Sequence, residues 1–376
     1  MKTQNINRSL EMKDDVDFSR TAKMKIAVVG AGIMGMSAAY FIKEEFPHFD
    51  VSVYAEKMAP RTTSDGSAGI CVGAPIENNP REKVNKWVKA TVDYAHNLLR
   101  KSENAHKMGL SIVHGYYLSS KGELEISTWR DCVLNHRKLE EFELLQFPDE
   151  IKSGYLLTTV IIECRKYIPW IAELFKQKGG KLIEKKIECL DDLQAYDMII
   201  NCSGLGARYL VNDQSVKPVR GHLIRMKAPW VKSFIRHVDN DDKGRSKHVL
   251  VNQDTVVLGG LKEKDCIEPK PRVEDREWII SEAQRFVPSL KNAEMVSEWV
   301  GFRPSRPTVR LEKEIWKFKT PLGGVKSVPV IHNYGHSAHG VIFMLLIVLR
   351  KIFNRQSKSL TITDFRRPLR EAESLK

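Results

Sequence analysis

The chain has 376 residues, with 60 Lys+Arg against 47 Asp+Glu, a formal net charge of +13 and a pI of about 9.3. Hydrophobic residues make up 42% and charged residues 28%, a globular balance that excludes a disordered chain and allows two or three folding units, each with a full core. The six cysteines (Cys71, Cys132, Cys164, Cys189, Cys202, Cys266) show no CxxC or Cys/His spacing, which argues against a disulfide framework and a zinc site and for a reducing compartment.

Met1 to Lys23 carries five basic and four acidic side chains and no apolar run, and reads as a solvated extension without a secretory signal. Lys25-Ile26-Ala27-Val28-Val29 predicts a buried parallel strand that runs into Gly30-Ala31-Gly32-Ile33-Met34-Gly35. Residues 36–45 predict a helix and 51–54 a second strand ending at Ala55-Glu56, so the four pieces form one βαβ unit. Helical spacing follows over 82–108, then a strand over 154–160. A helix over 167–178 is stopped by Gly179-Gly180, and strands follow over 181–187 and 197–201. The last of these meets Ser203-Gly204-Leu205-Gly206. Strands over 222–226 and 255–258 look like a different, more antiparallel layer, and 274–286 reads as a helix. The pieces of strand-and-helix type recur at the start, the middle and near the end. The expected fold class is therefore α/β, with a discontinuous Rossmann-type dinucleotide-binding domain and an inserted mixed-sheet domain.

The longest apolar stretch, Val341 to Leu349, is too short to span a bilayer. From Phe343 onward there are eight Lys/Arg and three Asp/Glu, so much of the basic excess sits in the tail. Elsewhere the positive charges alternate with acids, and no module interleaving aromatic and basic residues is present. The expectation is no nucleic-acid partner and a small acidic substrate instead.

Gly30, Gly32 and Gly35 follow a strand and open a helix, where missing side chains permit a tight turn, close approach of a pyrophosphate and close helix–strand packing. The helix amino terminus offers free N–H groups to phosphate. Glu56, at the end of the second strand, can accept ribose hydroxyls and would repel the 2′-phosphate of NADP. The loop alone leaves FAD and NAD both open.

Further motifs carry a family resemblance: Thr62-Thr63-Ser64-Asp65 with Ala68-Gly69-Ile70, Asn201-Cys202-Ser203-Gly204, Pro218-Val219-Arg220-Gly221-His222, Val257-Leu258-Gly259-Gly260, Gly301-Phe302-Arg303-Pro304-Ser305-Arg306-Pro307 and His332-Asn333-Tyr334-Gly335-His336. In this order, over about residues 24–340, they resemble the D-amino acid oxidase family, and within it the D-aspartate oxidases. The resemblance implies FAD as cofactor, held by Gly30, Ala31, Gly32, Ile33, Met34, Gly35, Glu56, Lys57, Thr62, Thr63, Ser64, Ala68, Gly69, Ile70, Ser203, Gly204, Gly335, His336, Ser337, Gly340, Val341 and Ile342. It implies Arg303 as the contact for the substrate α-carboxylate, a task suited to a planar two-donor fork. Arg236 and Lys262 fall where that family's acidic-substrate members hold a side-chain carboxylate. His248 falls near an active-site tyrosine of the family, and a rim or structural role is equally open. Ala338 takes a glycine position that contacts substrate through its backbone. No Ser/His/Asp triad, acid–base carboxylate pair or metal cluster is found, so no side chain is assigned as catalytic; the flavin would carry the chemistry.

The implied reaction is oxidative deamination of an acidic D-amino acid (D-aspartate, then D-glutamate) with O2, yielding an oxo acid, ammonia and hydrogen peroxide. The expected FAD-binding domain comprises 24–78, 150–218 and 300–342, and the substrate domain 79–149 and 219–299, with 1–23 a flexible extension and 343–376 an atypical basic tail. Two departures leave alternatives open. Ala338 would strain the loop if its φ were positive, and Ile342 lacks the hydroxyl the family offers to the flavin. An oxidase of neutral D-amino acids, or a catalytically impaired flavin-binding homologue, therefore stays in play. The chain ends Glu373-Ser374-Leu375-Lys376 without the family's Ser-Lys-Leu address, which leaves peroxisome by resemblance and cytoplasm by residues. Oligomeric state is not legible.

Overall fold

The computed structural model describes residues 23–344, except 74–77, 125, 127–128, 240, 242–243 and 321–322. The amino-terminal extension up to residue 22 and the basic tail from residue 345 lie outside the described residues.

The strands are β1 (Lys25–Val29), β2 (Asp50–Ala55), β3 (Leu110–Ser119), β4 (Asn135–Lys138), β5 (Ser153–Ile162), β6 (Lys181–Glu184) and β7 (Met198–Asn201). Then follow β8 (Lys217–Lys227), β9 (Ser233–His237), β10 (Lys247–Val251), β11 (Val256–Gly259), β12 (Glu263–Lys264), β13 (Glu294–Lys319) and β14 (Val325–His336). They join in one sheet of order β4-β5-β3-β9-β10-β11-β8-β13-β14-β7-β1-β2-β6, with β12 paired to β8. From β14 to β6 every pairing is parallel. From β9 to β14 every neighbour is antiparallel.

β1 is buried along four of its five residues, as a β-branched run between parallel neighbours must be. It feeds the helix Ile33–Glu45, which starts three residues earlier than the periodicity predicts. The last residues of the glycine loop already have helical geometry, with Gly32 as the N-cap. The helix expected over 82–108 is two, Arg81–Lys101 and Ala105–Met108, because Ser102 turns extended at φ −100° and ψ 129°. Ser-x-Asn sequences compete with helix in this way through their side chains.

The two strands expected in a separate antiparallel layer belong to the same sheet. β8 pairs with β13, β13 with β14, and β14 with β7, so the 26-residue β13 welds the antiparallel half onto the parallel half. β13 is half-exposed or exposed at all but two of its residues and has no clean alternation, which hid it from a periodicity reading. β3, β4, β9, β10, β12 and β14 are likewise absent from the strands read in the sequence. The main core lies beneath the sheet between the helices Ile33–Glu45, Arg81–Lys101 and Cys164–Gln177. Phe343, where the sequence reading begins the tail, is fully buried there, its ring 5.2 Å from Trp87.

Candidate functional site

A cavity of about 530 Å³ opens where the parallel strands meet the antiparallel ones. Its first wall is the glycine loop. Gly30 takes φ +109° and donates its N–H to the Tyr54 carbonyl at 2.7 Å, and a β-carbon there would overlap the Cys202 carbonyl. Gly32, the N-cap, has no side chain to cap the helix and lines the cavity at its amino terminus. Ala31, Ile33 and Met34 line the same wall. Gly35 does not line it. A β-carbon at Gly35 would overlap the Gly30 carbonyl oxygen, so this glycine serves the close helix–strand packing behind the loop.

Thr62, Thr63 and Ser64 are tied to that loop. Asp65 accepts from the Thr62 N–H at 2.8 Å and hydroxyl at 2.6 Å, a reciprocal cap that holds the short turn Thr63–Gly66. Ser64 Oγ then accepts the Ile33 N–H at 3.0 Å. Two motifs 30 residues apart in sequence thus become one cradle. Ala68, Gly69 and Ile70 extend it, and Ile70 bridges to Ile161 of β5. Asn201 joins two further motifs: its side-chain oxygen accepts the Ser203 hydroxyl at 2.7 Å, and its amide meets His332 at 3.2 Å. This sets Ser203 and Gly204 beside Gly335 and His336 in the lining.

Glu56 and Lys57 lie at the carboxyl end of β2, in the outer mouth of the cavity. Lys186, Glu188 and Tyr209 join them there. The sequence reading missed all three, since nothing local in loops after β6 and in a four-residue helix signals a shared wall.

The other end of the cavity is cationic. Arg303 lies on β13 beside Gly221 of β8, where any β-carbon would overlap its guanidinium. Arg303 Nη1 donates to the Leu261 carbonyl at 2.9 Å and the Arg220 carbonyl at 3.3 Å, and burial pushes its pKa down to about 10. Arg220 itself is fully buried and turns away, to Glu263 at 2.6 Å and Asp275 at 3.0 Å. The adjacent His222 bonds Glu298 at 2.7 Å and stays outside the cavity. Arg236 on β9 sits over the Tyr117 ring at 5.5 Å, cross-strand from His248 on β10. Lys262 follows β11, is exposed and lines the cavity. Its ammonium is nonetheless driven down to about 8, first by desolvation and then by Arg236 and Arg303.

Three histidines face this charge. His248 is held down to about 3 by burial and then by Arg236, Arg303 and Lys262. His336 reaches about 3 by burial and then His339, and its Nε2 is buried without a hydrogen-bond partner. His339 sits at about 4, lowered by burial, then Arg236 and Lys262. All three are neutral near pH 7. His339 and Trp299 were missed in the sequence; Trp299 enters because Gly66 and Gly301 leave room for its ring. Ala338 is exposed in the lining and its φ is not positive; the positive φ of this turn falls at Ser337 (φ +51°), so the Ala338 methyl imposes no such strain. Gly340, Val341 and Ile342 close the wall.

Among the described residues no group of three or more His, Cys, Asp or Glu could hold a metal ion, and all six cysteines are free. No described helix is long and apolar enough to cross a membrane.

A family model described as DAO, FAD dependent oxidoreductase, matches residues 25–347. A D-aspartate oxidase from Homo sapiens is 35% identical over 319 residues, covering 84% of this chain and 90% of the human protein. A D-amino acid oxidase from Dugesia ryukyuensis is 33% identical over 323 residues, covering 84% and 93%. In fold the chain is similar to the crystal structure of glycine oxidase from Geobacillus kaustophilus, with a TM-score of 0.70 over 89% of this chain and 96% of that one, at 14% identity. The cofactor is FAD, and the glycine loop, where Gly30 and Gly32 lack side chains at the helix amino terminus, is a cradle that fits its pyrophosphate.

Proposed function

The chain belongs to the DAO family of FAD-dependent oxidoreductases, and from that premise we propose that it oxidises acidic D-amino acids, D-aspartate before D-glutamate. Substrate, O2 and water become the 2-oxo acid, ammonia and hydrogen peroxide. One observation carries the substrate class. Arg303, Arg236 and Lys262 converge on one end of the cavity, while the two carboxylates of the lining, Glu56 and Glu188, sit near the β2 end. A neutral side chain would leave Lys262, its pKa already lowered by desolvation and by the neighbouring Arg236 and Arg303, without a counter-charge, which low-dielectric surroundings penalise. A second carboxylate supplies it.

In this reading the parallel half of the sheet holds the cofactor and the antiparallel half the substrate. Gly30 to Met34 take the pyrophosphate, Glu56 and Lys57 the ribose. Thr62 to Ser64, Ala68 to Ile70, Ser203, Gly204, Gly335 to Ser337 and Gly340 to Ile342 enclose the rest. FAD, when bound, supplies the hydride acceptor and the centre at which oxygen is reduced. The protein contributes position and desolvation. Arg303 is already fixed by two carbonyls through Nη1, which leaves its remaining N–H groups for the α-carboxylate. Arg236 and Lys262 hold the far carboxylate. No histidine at this end holds a proton near neutrality, so the amine proton leaves to water.

The test is peroxide formation from D-Asp, D-Glu, D-Ala and N-methyl-D-Asp with added FAD. The expected order places kcat/KM for D-Asp at least tenfold above D-Ala. D-Ala equal to or better than D-Asp would overturn the substrate class, and a protein that never turns yellow with FAD would overturn the enzyme.

A further inference from the structure

Residues 66–70 line the cavity, yet Ser67, Ala68 and Gly69 belong to no helix or strand. Gly69 takes φ +83°, and beyond it the chain is stitched to β5. There the Ile162 N–H donates to the Gly69 carbonyl at 2.9 Å and the Cys71 N–H to the Val160 carbonyl at 3.0 Å. The irregular stretch itself is held from the antiparallel half of the sheet. Arg225 on β8 donates through Nη2 to the Asp65 carbonyl at 3.2 Å and the Ser67 carbonyl at 3.5 Å. Its Nη1 donates to Asn252 Oδ1 at 2.8 Å, and Asn252 Nδ2 donates to the Ala68 carbonyl at 2.9 Å. Asn252 follows β10 directly and is fixed in turn by its own N–H, which donates to the Thr255 carbonyl at 2.8 Å. Three carbonyls of one loop thus hang on two side chains from two other segments.

Arg225 shares a face of β8 with Leu223, which lines the cavity, because side chains two apart in a strand project the same way. Arg225 and Asn252 lie outside the lining, so both act from behind the wall. Each is 4% exposed. Burial lowers the Arg225 pKa, and every hydrogen bond it makes among the described residues goes to a neutral oxygen. A guanidinium buried without a carboxylate partner is costly, and here its donors serve only the loop and the residue that also holds the loop.

We propose that Arg225 and Asn252 are positioning residues for the cofactor, which hold the Asp65, Ser67 and Ala68 carbonyls so that the 66–70 wall is ordered before the flavin end of FAD arrives. The role rests on the reading above, in which Ala68 to Ile70 enclose the part of FAD beyond its pyrophosphate and ribose. A wall ordered in advance adds no ordering penalty to binding, whereas a released loop must be ordered by the ligand and affinity falls accordingly. The pyrophosphate cradle has its own supports: the Gly30 N–H donates to the Tyr54 carbonyl, and the Asp65 carboxylate caps the turn Thr63–Gly66. Arg225 and Asn252 therefore act on the flavin end and leave the nucleotide end alone.

The experiment compares FAD-loaded wild type with Arg225→Met, Arg225→Lys and Asn252→Ala. Serial dilution gives the Kd of FAD from the fluorescence of released flavin. ADP, which carries the nucleotide end alone, is then titrated in to displace FAD and gives its own Kd, and a melting curve accompanies each protein. Arg225→Met is expected to raise the FAD Kd about tenfold and to leave the ADP Kd within about twofold of wild type. Arg225→Lys keeps the charge and a donor, and is expected to recover part of the loss. Asn252→Ala frees the Ala68 carbonyl, is expected to raise the FAD Kd about fivefold, and carries the test should Arg225→Met not fold. FAD affinity unchanged in the variants overturns the proposal while the cofactor reading stands. Equal losses of FAD and ADP overturn it as well, since they describe a general loss of structure. A wild type that binds FAD no more tightly than ADP sinks the proposal and the placement of the flavin end together.

Discussion

Replacing Arg303 with alanine removes the one guanidinium that β13 aims into the cavity beside Gly221. Nη1 is held by the Leu261 and Arg220 carbonyls, so the fork is oriented before substrate binds. Its pKa is pushed down to about 10 by burial, so it remains charged at neutral pH but poorly solvated. Truncating one partner of a buried, hydrogen-bonded charge pair costs about 2–5 kcal/mol, which at 1.36 kcal/mol per decade is a loss of roughly 30- to 5,000-fold in kcat/KM. The upper half of that range is expected, because the α-carboxylate would then enter a buried site with its designated counter-charge gone. All D-amino acid substrates should suffer alike, since the α-carboxylate is common to them. Arg303→Lys keeps the charge and loses the fork, and should fall between the two. Oxygen consumption over a substrate series gives kcat/KM, flavin absorbance gives cofactor content, and a melting curve controls for the Leu261 carbonyl left unpaired. Arg303→Ala retaining activity within about fivefold, with full flavin content, would refute the reasoning.

Arg236→Ala should lower kcat/KM for D-Asp about tenfold and D-Ala far less, an estimate for losing one charge-assisted contact at a half-exposed site; equal losses in the same assay would count against its assignment to the side-chain carboxylate. Lys262 carries its charge below about pH 8 and loses it as pH rises through that value, so KM for D-Asp should climb above pH 8 while KM for D-Ala lacks that limb. Lys262→Arg should push the limb out of range; an unchanged profile would exclude Lys262. Gly35→Ala places a methyl group on the Gly30 carbonyl, where a backbone neighbour gives little, and should cost about 1–3 kcal/mol and reduce FAD retention. A melting curve and released-flavin measurement check this, and wild-type values in both would contradict the packing role.

Local signals account for what was legible. β1, its glycine turn, the helix and β2 were readable because burial on both faces demands an unbroken apolar strand, and because a turn that approaches other backbone admits only glycine. The helices near 164–177 and 273–286 were readable from their apolar period and stops. The 26-residue β13, which carries Arg303, was not. Its residues are half-exposed or exposed without alternating, so no period marks them, and the placement of Arg303 depended on the resemblance of a short motif. Gly35 was readable as a packing glycine of the loop, but that its neighbour is the Gly30 carbonyl required the fold.

By itself, then, the amino-acid order determined that a dinucleotide cradle sits at the front of the chain, since strand, turn and helix need only neighbouring residues to form. Tertiary structure decided the charge of the other end. Arg236, Lys262, Arg303 and His339 come from four separate segments, and the pKa values of Lys262, Arg303 and His339 fall only where those segments meet and exclude water. Coulomb forces depend on distance and on local dielectric, and neither is written along a chain until it folds.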